Sequence, residues 1–160
     1  MKLKEGDKAP AFKAKDQSGK TVSLSDFKGK KVILYFYPKD DTPGCTKEAC
    51  SFRDDYASLK KKGFEVVGVS VDDEKSHKKF AEKYDLPFTL VADVDKAIVN
   101  AYGVWGEKTF MGKKYMGTNR VTFIIDEGGK IEKIITNVDT SNAARQVLDV
   151  LEKKAEKKKA

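Results

Sequence analysis

Three short stretches of the chain are apolar without alternation: Val32-Ile-Leu-Tyr-Phe-Tyr37, Phe64-Glu-Val-Val-Gly-Val-Ser-Val71 and Pro87-Phe-Thr-Leu-Val91. Runs of this length, rich in β-branched and aromatic residues, predict strands buried on both faces. Helical patterns separate them. Ser51 to Lys62 carries on a helix that begins before it and ends at Gly63, a residue suited to the left-handed C-cap. Glu74 to Tyr84 places His77 and Ala81, with either Tyr84 or Phe80, on an inner side. Val94 to Tyr102 reads as a short helix. Arg120 to Ile125 and Lys130 to Ile135 flank Glu127-Gly-Gly129 and predict a hairpin. Ala143 to Leu151 is amphipathic, with Val147, Leu148 and Leu151 inward. At the N-terminus, Thr21-Val-Ser-Leu-Ser25 alternates behind Ser18-Gly19 and predicts a small hairpin.

The order is therefore β-α-β-α-β-α-β-β-α. Alternation gives parallel pairing first, and the late hairpin adds an antiparallel pair. The expected fold is α/β, a central mixed sheet with helices on both faces. No internal boundary breaks the chain, so one domain is expected over residues 1–160, with 152–160 as a lysine-rich tail. Tyr102 to Asn119 is expected to be irregular. Its glycines alternate with Trp105, Phe110, Met111, Tyr115 and Met116. Such a loop either walls a pocket or packs on its own side chains.

Charge narrows the function classes. The formal net charge is +7, and five lysines and two glutamates from Glu152 to Ala160 supply part of it. Arginine occurs only at Arg53, Arg120 and Arg145, so the arginine forks of nucleic-acid readers are not clustered here. A solvated basic surface is expected instead, with no nucleic-acid partner. Met1 to Pro10 is charged and has no apolar centre, and no apolar run is long enough to span a bilayer. No membrane association is expected, and the location expected is the cytoplasm, where thiols stay reduced.

The chemistry concentrates in Pro38-Lys-Asp-Asp-Thr-Pro-Gly-Cys45-Thr-Lys-Glu-Ala-Cys50, which holds both cysteines of the protein. Thr42 is a good N-cap and Pro43 suits the first helical position. Cys45 then falls on the first turn, where free N–H groups and the helix dipole favour a thiolate. In an intact helix, residues five apart lie ~140° apart around the axis, with Cα atoms ~8.6 Å apart. A disulfide needs about 7 Å or less. The spacing suits an attacking thiol and a partner that reaches it after a local rearrangement. It is equally the spacing of two unrelated buried thiols; the helix-start placement of Cys45 favours chemistry.

Pro38-x-x-x-Thr42-x-x-Cys45 resembles the active-site motif of peroxiredoxins, and Tyr35 to Cys50 resembles the bacterioferritin-comigratory-protein, or peroxiredoxin Q, branch. The likeness continues through Gly68-Val-Ser-Val-Asp72, Ser76-His77-x-x-Phe80, Leu86-Pro-Phe88, Tyr102-Gly-Val-Trp-Gly-Glu107 and Arg120-Val-Thr-Phe-Ile-Ile-Asp126, and weakens after Ile135. It implies a thioredoxin-like fold and a thiol-dependent peroxidase acting on hydrogen peroxide and organic hydroperoxides. Cys45 would be the peroxidatic thiol, oxidised to sulfenic acid, and Cys50 the resolving thiol, closing an intramolecular disulfide. Thioredoxin or a similar dithiol would reduce that bond. The Thr42 hydroxyl is expected to donate to the peroxide oxygens, since it caps the same turn, and the resemblance further implies that the Arg120 guanidinium reaches Cys45. Pro38 would shield the thiolate, and Glu48 would position the arginine. No cofactor or metal is implied. A monomer able to dimerise weakly is expected.

Two other readings compete. A protein disulfide oxidoreductase would want a C-x-x-C pair, which is missing here. A peroxide-responsive sensor or holdase would use the same disulfide without turnover. His77 is the sole histidine and is expected to be packed or half exposed rather than beside Cys45. Two cysteines and one histidine argue against a four-ligand zinc site. No phosphate loop or dinucleotide fingerprint is present, since Gly103-x-x-Gly106 lacks the flanking strand and helix.

Overall fold

The computed structural model describes residues 3–159, with side chains through residue 152. A seven-stranded sheet runs in the order β2-β1-β5-β4-β3-β8-β9, and a separate two-stranded sheet pairs β6 with β7. The strands are β1 (Lys13–Asp16), β2 (Thr21–Ser23), β3 (Lys31–Phe36), β4 (Phe64–Ser70), β5 (Thr89–Ala92), β6 (Trp105–Phe110), β7 (Lys113–Thr118), β8 (Val121–Ile125) and β9 (Ile131–Ile135). The helices are α1 (Pro43–Asp54), α2 (Tyr56–Lys61), α3 (Glu74–Lys83), α4 (Ala97–Ala101) and α5 (Ala143–Lys159).

The three apolar runs form the centre. β3, β4 and β5 are parallel neighbours, and β8 lies antiparallel on the other side of β3. Alternation along β3 sends side chains into two apolar layers. Ile33, Tyr35 and Tyr37 pack with Phe52, Leu59, Phe80 and Val147 from α1, α2, α3 and α5. Val32, Leu34 and Phe36 pack with Phe12, Ile98, Val99 and Phe123 beneath α4 and the N-terminal segment. Covering both faces explains why this strand has no polar side in the sequence. Gly68 on β4 is required by close approach: a Cβ there would lie 2.9 Å from the Tyr35 hydroxyl.

Two expectations are corrected. The helix ending at Gly63 is broken at Asp55 into α1 and α2. Different partners hold the two sides of the break. The Arg53 guanidinium donates to the Tyr84 carbonyl at 2.8 Å, and the Tyr56 hydroxyl to Glu65 on β4 at 2.6 Å. The segment expected to be irregular, Tyr102 to Asn119, contains the β6–β7 hairpin instead. Its turn is Met111-Gly112, with φ of 52° and 79°, both left-handed as a type I′ turn requires. Methionine in place of asparagine or aspartate hid the turn, and exposure of both strand faces removed the alternation that marks a half-buried strand.

The remaining elements follow the sequence closely. Helix α5 runs past Leu151 to Lys159, with Val147 buried and Leu148 and Leu151 partly buried against the core. The side chains of the lysine-rich tail beyond Glu152 lie outside the described residues. Among the described residues, no helix is long and apolar enough to cross a membrane.

Candidate active site

β3 ends at Phe36, and the loop through Pro38, Asp40 and Asp41 turns the chain into α1. Two aspartates fasten this loop to α3. The buried Asp40 carboxylate receives the Tyr37 hydroxyl at 2.6 Å and the Ser76 hydroxyl at 2.7 Å, and meets His77 Nδ1 at 2.7 Å. The exposed Asp41 pairs with Lys83 Nζ at 2.8 Å and accepts from the Tyr84 hydroxyl at 2.9 Å. Asp41 itself sits at φ 55°, the left-handed bend that starts the turn into the helix. The Asp40 backbone N–H donates to Asp72, which also accepts from Ser70.

Of the two placements expected for His77, packed and half exposed, the structure shows the first, with polar partners added. The side chain is wholly buried, and Nε2 donates to the Val91 carbonyl at 2.9 Å. Asp40, Asp72 and His77 bring three ligand-type groups together. Their atoms are already taken by Tyr37, Ser70, Ser76, the Asp40 N–H and Val91, so the cluster reads as a hydrogen-bonded anchor.

Thr42 is the N-cap residue of α1 by position, with φ −102° and ψ 156°, and its carbonyl accepts the first helical bond from Thr46 N–H at 2.8 Å. Its hydroxyl does not cap the helix. It donates backward to the Lys39 carbonyl at 2.9 Å, which closes the loop and leaves the oxygen lone pairs for another donor. Pro43 occupies the first helical position, and Cys45 the third. Pro38 is half-buried in the loop just past β3.

The Cys45 thiol is buried and free, and Cys50 is half-buried and free on the same unbroken helix. Arg120 stands one residue before β8, the strand that pairs with β3. Its Nη2 donates to Cys45 Sγ at 3.2 Å, and its Nη1 to Glu48 Oε1 at 2.7 Å. A Cβ on Gly44 would lie 3.2 Å from the same Nη2, so glycine at the second helical position leaves room for the guanidinium. One planar fork therefore bridges the sulfur and the carboxylate one turn further along α1.

The charges at this junction are strongly perturbed. Burial pushes Glu48 up to about 7, against the pull of Arg120. Burial works against the Arg120 cation, but Glu48 and Cys45 outweigh it and hold its pKa above the usual value. Glu48 Oε2 is buried with no hydrogen-bond partner. Burial, then Glu48 and Cys45, raise the Tyr35 phenol well above its ordinary value, so the ring beneath the site stays neutral.

Five of the six residues singled out in the sequence gather on the loop and first turns of α1, and Arg120 arrives from β8 to touch two of them. The arrangement can hold an anionic sulfur, present a planar cation to it, and offer a hydroxyl oxygen beside the helix start. Sequence reasoning missed the Asp40–His77 anchor and the clearance at Gly44. An aspartate two residues after Pro38 and a histidine on an inner helix face were the available signals.

Residues 5–134 match the AhpC/TSA family. The chain belongs to that family, as a peroxiredoxin. It is 49% identical to peroxiredoxin Bcp of Escherichia coli strain K12 over 153 residues, 96% of this chain and 98% of the relative. It is 44% identical to peroxiredoxin Bcp of Bacillus subtilis strain 168 over 157 residues, 98% of this chain and all of the relative. Among solved structures, a peroxiredoxin Q mutant from Xylella fastidiosa superposes with a TM-score of 0.89 at 31% identity, covering 97% and 99% of the two chains. The bacterioferritin comigratory protein of Xanthomonas campestris superposes at 0.83 with 34% identity, covering 90% and 92%. As a peroxiredoxin the chain is a thiol-dependent peroxidase, with the thioredoxin-like fold expected of it.

Proposed function

We propose that this peroxidase uses Cys45 as its peroxidatic thiol and Cys50 as its resolving thiol. The observation that carries this reading is the 3.2 Å contact from Arg120 Nη2 to a buried cysteine on the first turn of α1. The thiolate attacks one peroxide oxygen and the O–O bond breaks. Sulfur loses two electrons and becomes sulfenic acid, and the leaving oxygen departs with the electron pair and takes up a proton. Arg120 and the free N–H groups of the helix start stabilise the charge that moves across the two oxygens. Thr42 turns its lone pairs to the peroxide O–H, because its own proton is given to Lys39. Pro38 closes the loop side, and Glu48 holds the guanidinium in plane.

Cys50 then attacks the sulfenic sulfur and expels water, forming an intramolecular disulfide. An external dithiol, for which thioredoxin is the proposed donor, reduces it. No step calls for a cofactor or metal. The X. campestris relative is described by its alkyl peroxide reduction, and this chain is proposed to take both hydrogen peroxide and alkyl hydroperoxides. We read it as one domain, working as a monomer in the cytoplasm, where a dithiol supply keeps both free cysteines reduced.

Peroxide-dependent NADPH oxidation in the presence of thioredoxin and its reductase tests this reading, run first with hydrogen peroxide and then with an alkyl hydroperoxide. Sustained turnover with both is expected. A single oxidation without turnover would favour a sensor or holdase instead.

A further inference from the structure

Resting on the peroxidase reading, the structure assigns Lys108, on the β6–β7 hairpin, a role in substrate choice: we propose that its ammonium reads a carboxylate on the substituent of an organic hydroperoxide. Cross-strand partners share a face of a hairpin. Lys108 stands opposite Tyr115, Phe110 opposite Lys113, and Gly106 opposite Gly117, so these residues line one face. The two glycines leave that face bare near its base. Into this space the Lys108 side chain folds back, its Cδ lying 3.0 Å from where a Gly117 Cβ would be. Nζ donates to the Thr118 carbonyl at 2.9 Å, two residues before Arg120.

Lys108 as a whole is half-buried and makes no salt bridge among the described residues. Its hairpin neighbour Lys114 differs, being paired with Glu107 at 3.5 Å. One neutral acceptor uses one of three ammonium donors. The surroundings tie Lys108 to the reaction site. Burial and then the Arg120 charge lower its pKa, while the Cys45 charge raises it. Held on the Thr118 carbonyl two residues before the arginine that touches the sulfur, Lys108 is a second cation next to the site, and one with no carboxylate partner among the described residues.

Beyond it on the same face are Phe110 and Tyr115, 66% and 47% exposed. Because Cys45 is buried, a bound peroxide must extend its substituent outward from the sulfur. A substituent with an apolar body and a carboxylate meets aromatic surface and an unpaired ammonium there. A neutral substituent meets the same surface without the ion pair.

The test compares 5-hydroperoxy-5-methylhexanoate with its methyl ester, which differ at one end in charge. The readout is the ratio of kcat/KM for acid over ester, which cancels any general loss of activity within a variant. Wild type should favour the acid by about fivefold, the scale of a partly exposed ion pair. That preference should shrink with added salt. Lys108→Met should bring the ratio to about one, and Lys108→Arg should keep most of it. A wild-type ratio near one, or a ratio unchanged in Lys108→Met, overturns the assignment. Turnover of hydrogen peroxide by wild type in the same coupled system reports on the peroxidase reading separately.

Discussion

The Asp40 carboxylate and the His77 imidazole meet at 2.7 Å inside the protein, with both side chains buried. This contact ties the loop before α1 to α3, and so fixes where the helix that carries Cys45 begins. Removing the imidazole takes one donor from the buried Asp40 carboxylate, which Tyr37 and Ser76 still hold, and losing a buried hydrogen bond to such a group costs about 1.5–3 kcal/mol. His77→Leu should lower unfolding free energy by that order in urea titrations. Lys83→Ala, which breaks the exposed pair with Asp41, should cost less than about 1 kcal/mol. Similar small losses for both variants would show that the buried anchor contributes little.

The guanidinium of Arg120 makes two directed contacts, to Cys45 and Glu48. Lysine keeps the charge but not the fork. Arg120→Lys should therefore slow peroxide reduction by ~10²-fold or more, the scale of losing one transition-state donor, with far-UV CD unchanged. Arg145→Lys alters an exposed side chain whose one ion pair among the described residues is with Asp149 on its own helix, and should be near neutral. Equal effects at the two positions would remove Arg120 from the chemistry.

The two thiols should separate cleanly by mutation. Cys45→Ser should abolish turnover of hydrogen peroxide. Cys50→Ser should consume about one equivalent and then stop as sulfenic acid, or overoxidise under excess peroxide. Mass spectrometry of the stalled protein distinguishes these states. Normal turnover by Cys45→Ser would reject the assignment.

Both cysteines sit on one unbroken helix. The turn between them, Thr46 to Ala49, must unwind before the sulfurs can bond, because helical spacing holds their Cα atoms ~8.6 Å apart. Unwinding also pulls Glu48 away from Arg120. Amide exchange from Thr46 to Arg53 should accordingly be faster in the disulfide form than in the reduced form. Identical exchange, or an oxidised structure with α1 intact, would refute the mechanism.

Glu48 gives stability a pH dependence of unusual sign for a carboxylate. Its folded value of about 7 lies above the ordinary 4.5. Between these values the native state keeps a proton that the unfolded state has released, so stability falls as pH rises through this window and is level outside it. Glu48→Gln cannot ionise and should lack that slope. Its stability relative to wild type should rise between these two pH values and then level. The rise should reach up to ~3 kcal/mol, because a tenfold change in proton affinity is worth about 1.4 kcal/mol. Parallel urea titrations of both proteins across the range check this; a constant difference would mean that Glu48 does not titrate there.

Local pattern carried much of this protein. Val32 to Tyr37, the Glu127-Gly-Gly129 turn and the Thr42-Pro43 helix start each depend on backbone preference and on which faces are apolar, properties that neighbouring residues express together. The placement of Cys45 on the first turn of α1 follows from the same local rules, and that placement made it the candidate nucleophile; the spacing of the two cysteines by itself left two unrelated thiols equally open. Contacts between distant segments could not. Arg120 reaches Cys45 only because β8 lies antiparallel beside β3, and His77 reaches Asp40 only because α3 packs against the end of that strand. The β6–β7 hairpin escaped because both of its faces are exposed and no alternation was imposed on it. The Thr42 hydroxyl was misjudged for a related reason: two acceptor and donor choices were open to it, and the fold of the preceding loop, closed on the Lys39 carbonyl, decided between them. Periodicity records which side of an element is buried, whereas the partner of a polar group is set by the sheet order that brings strands and loops together.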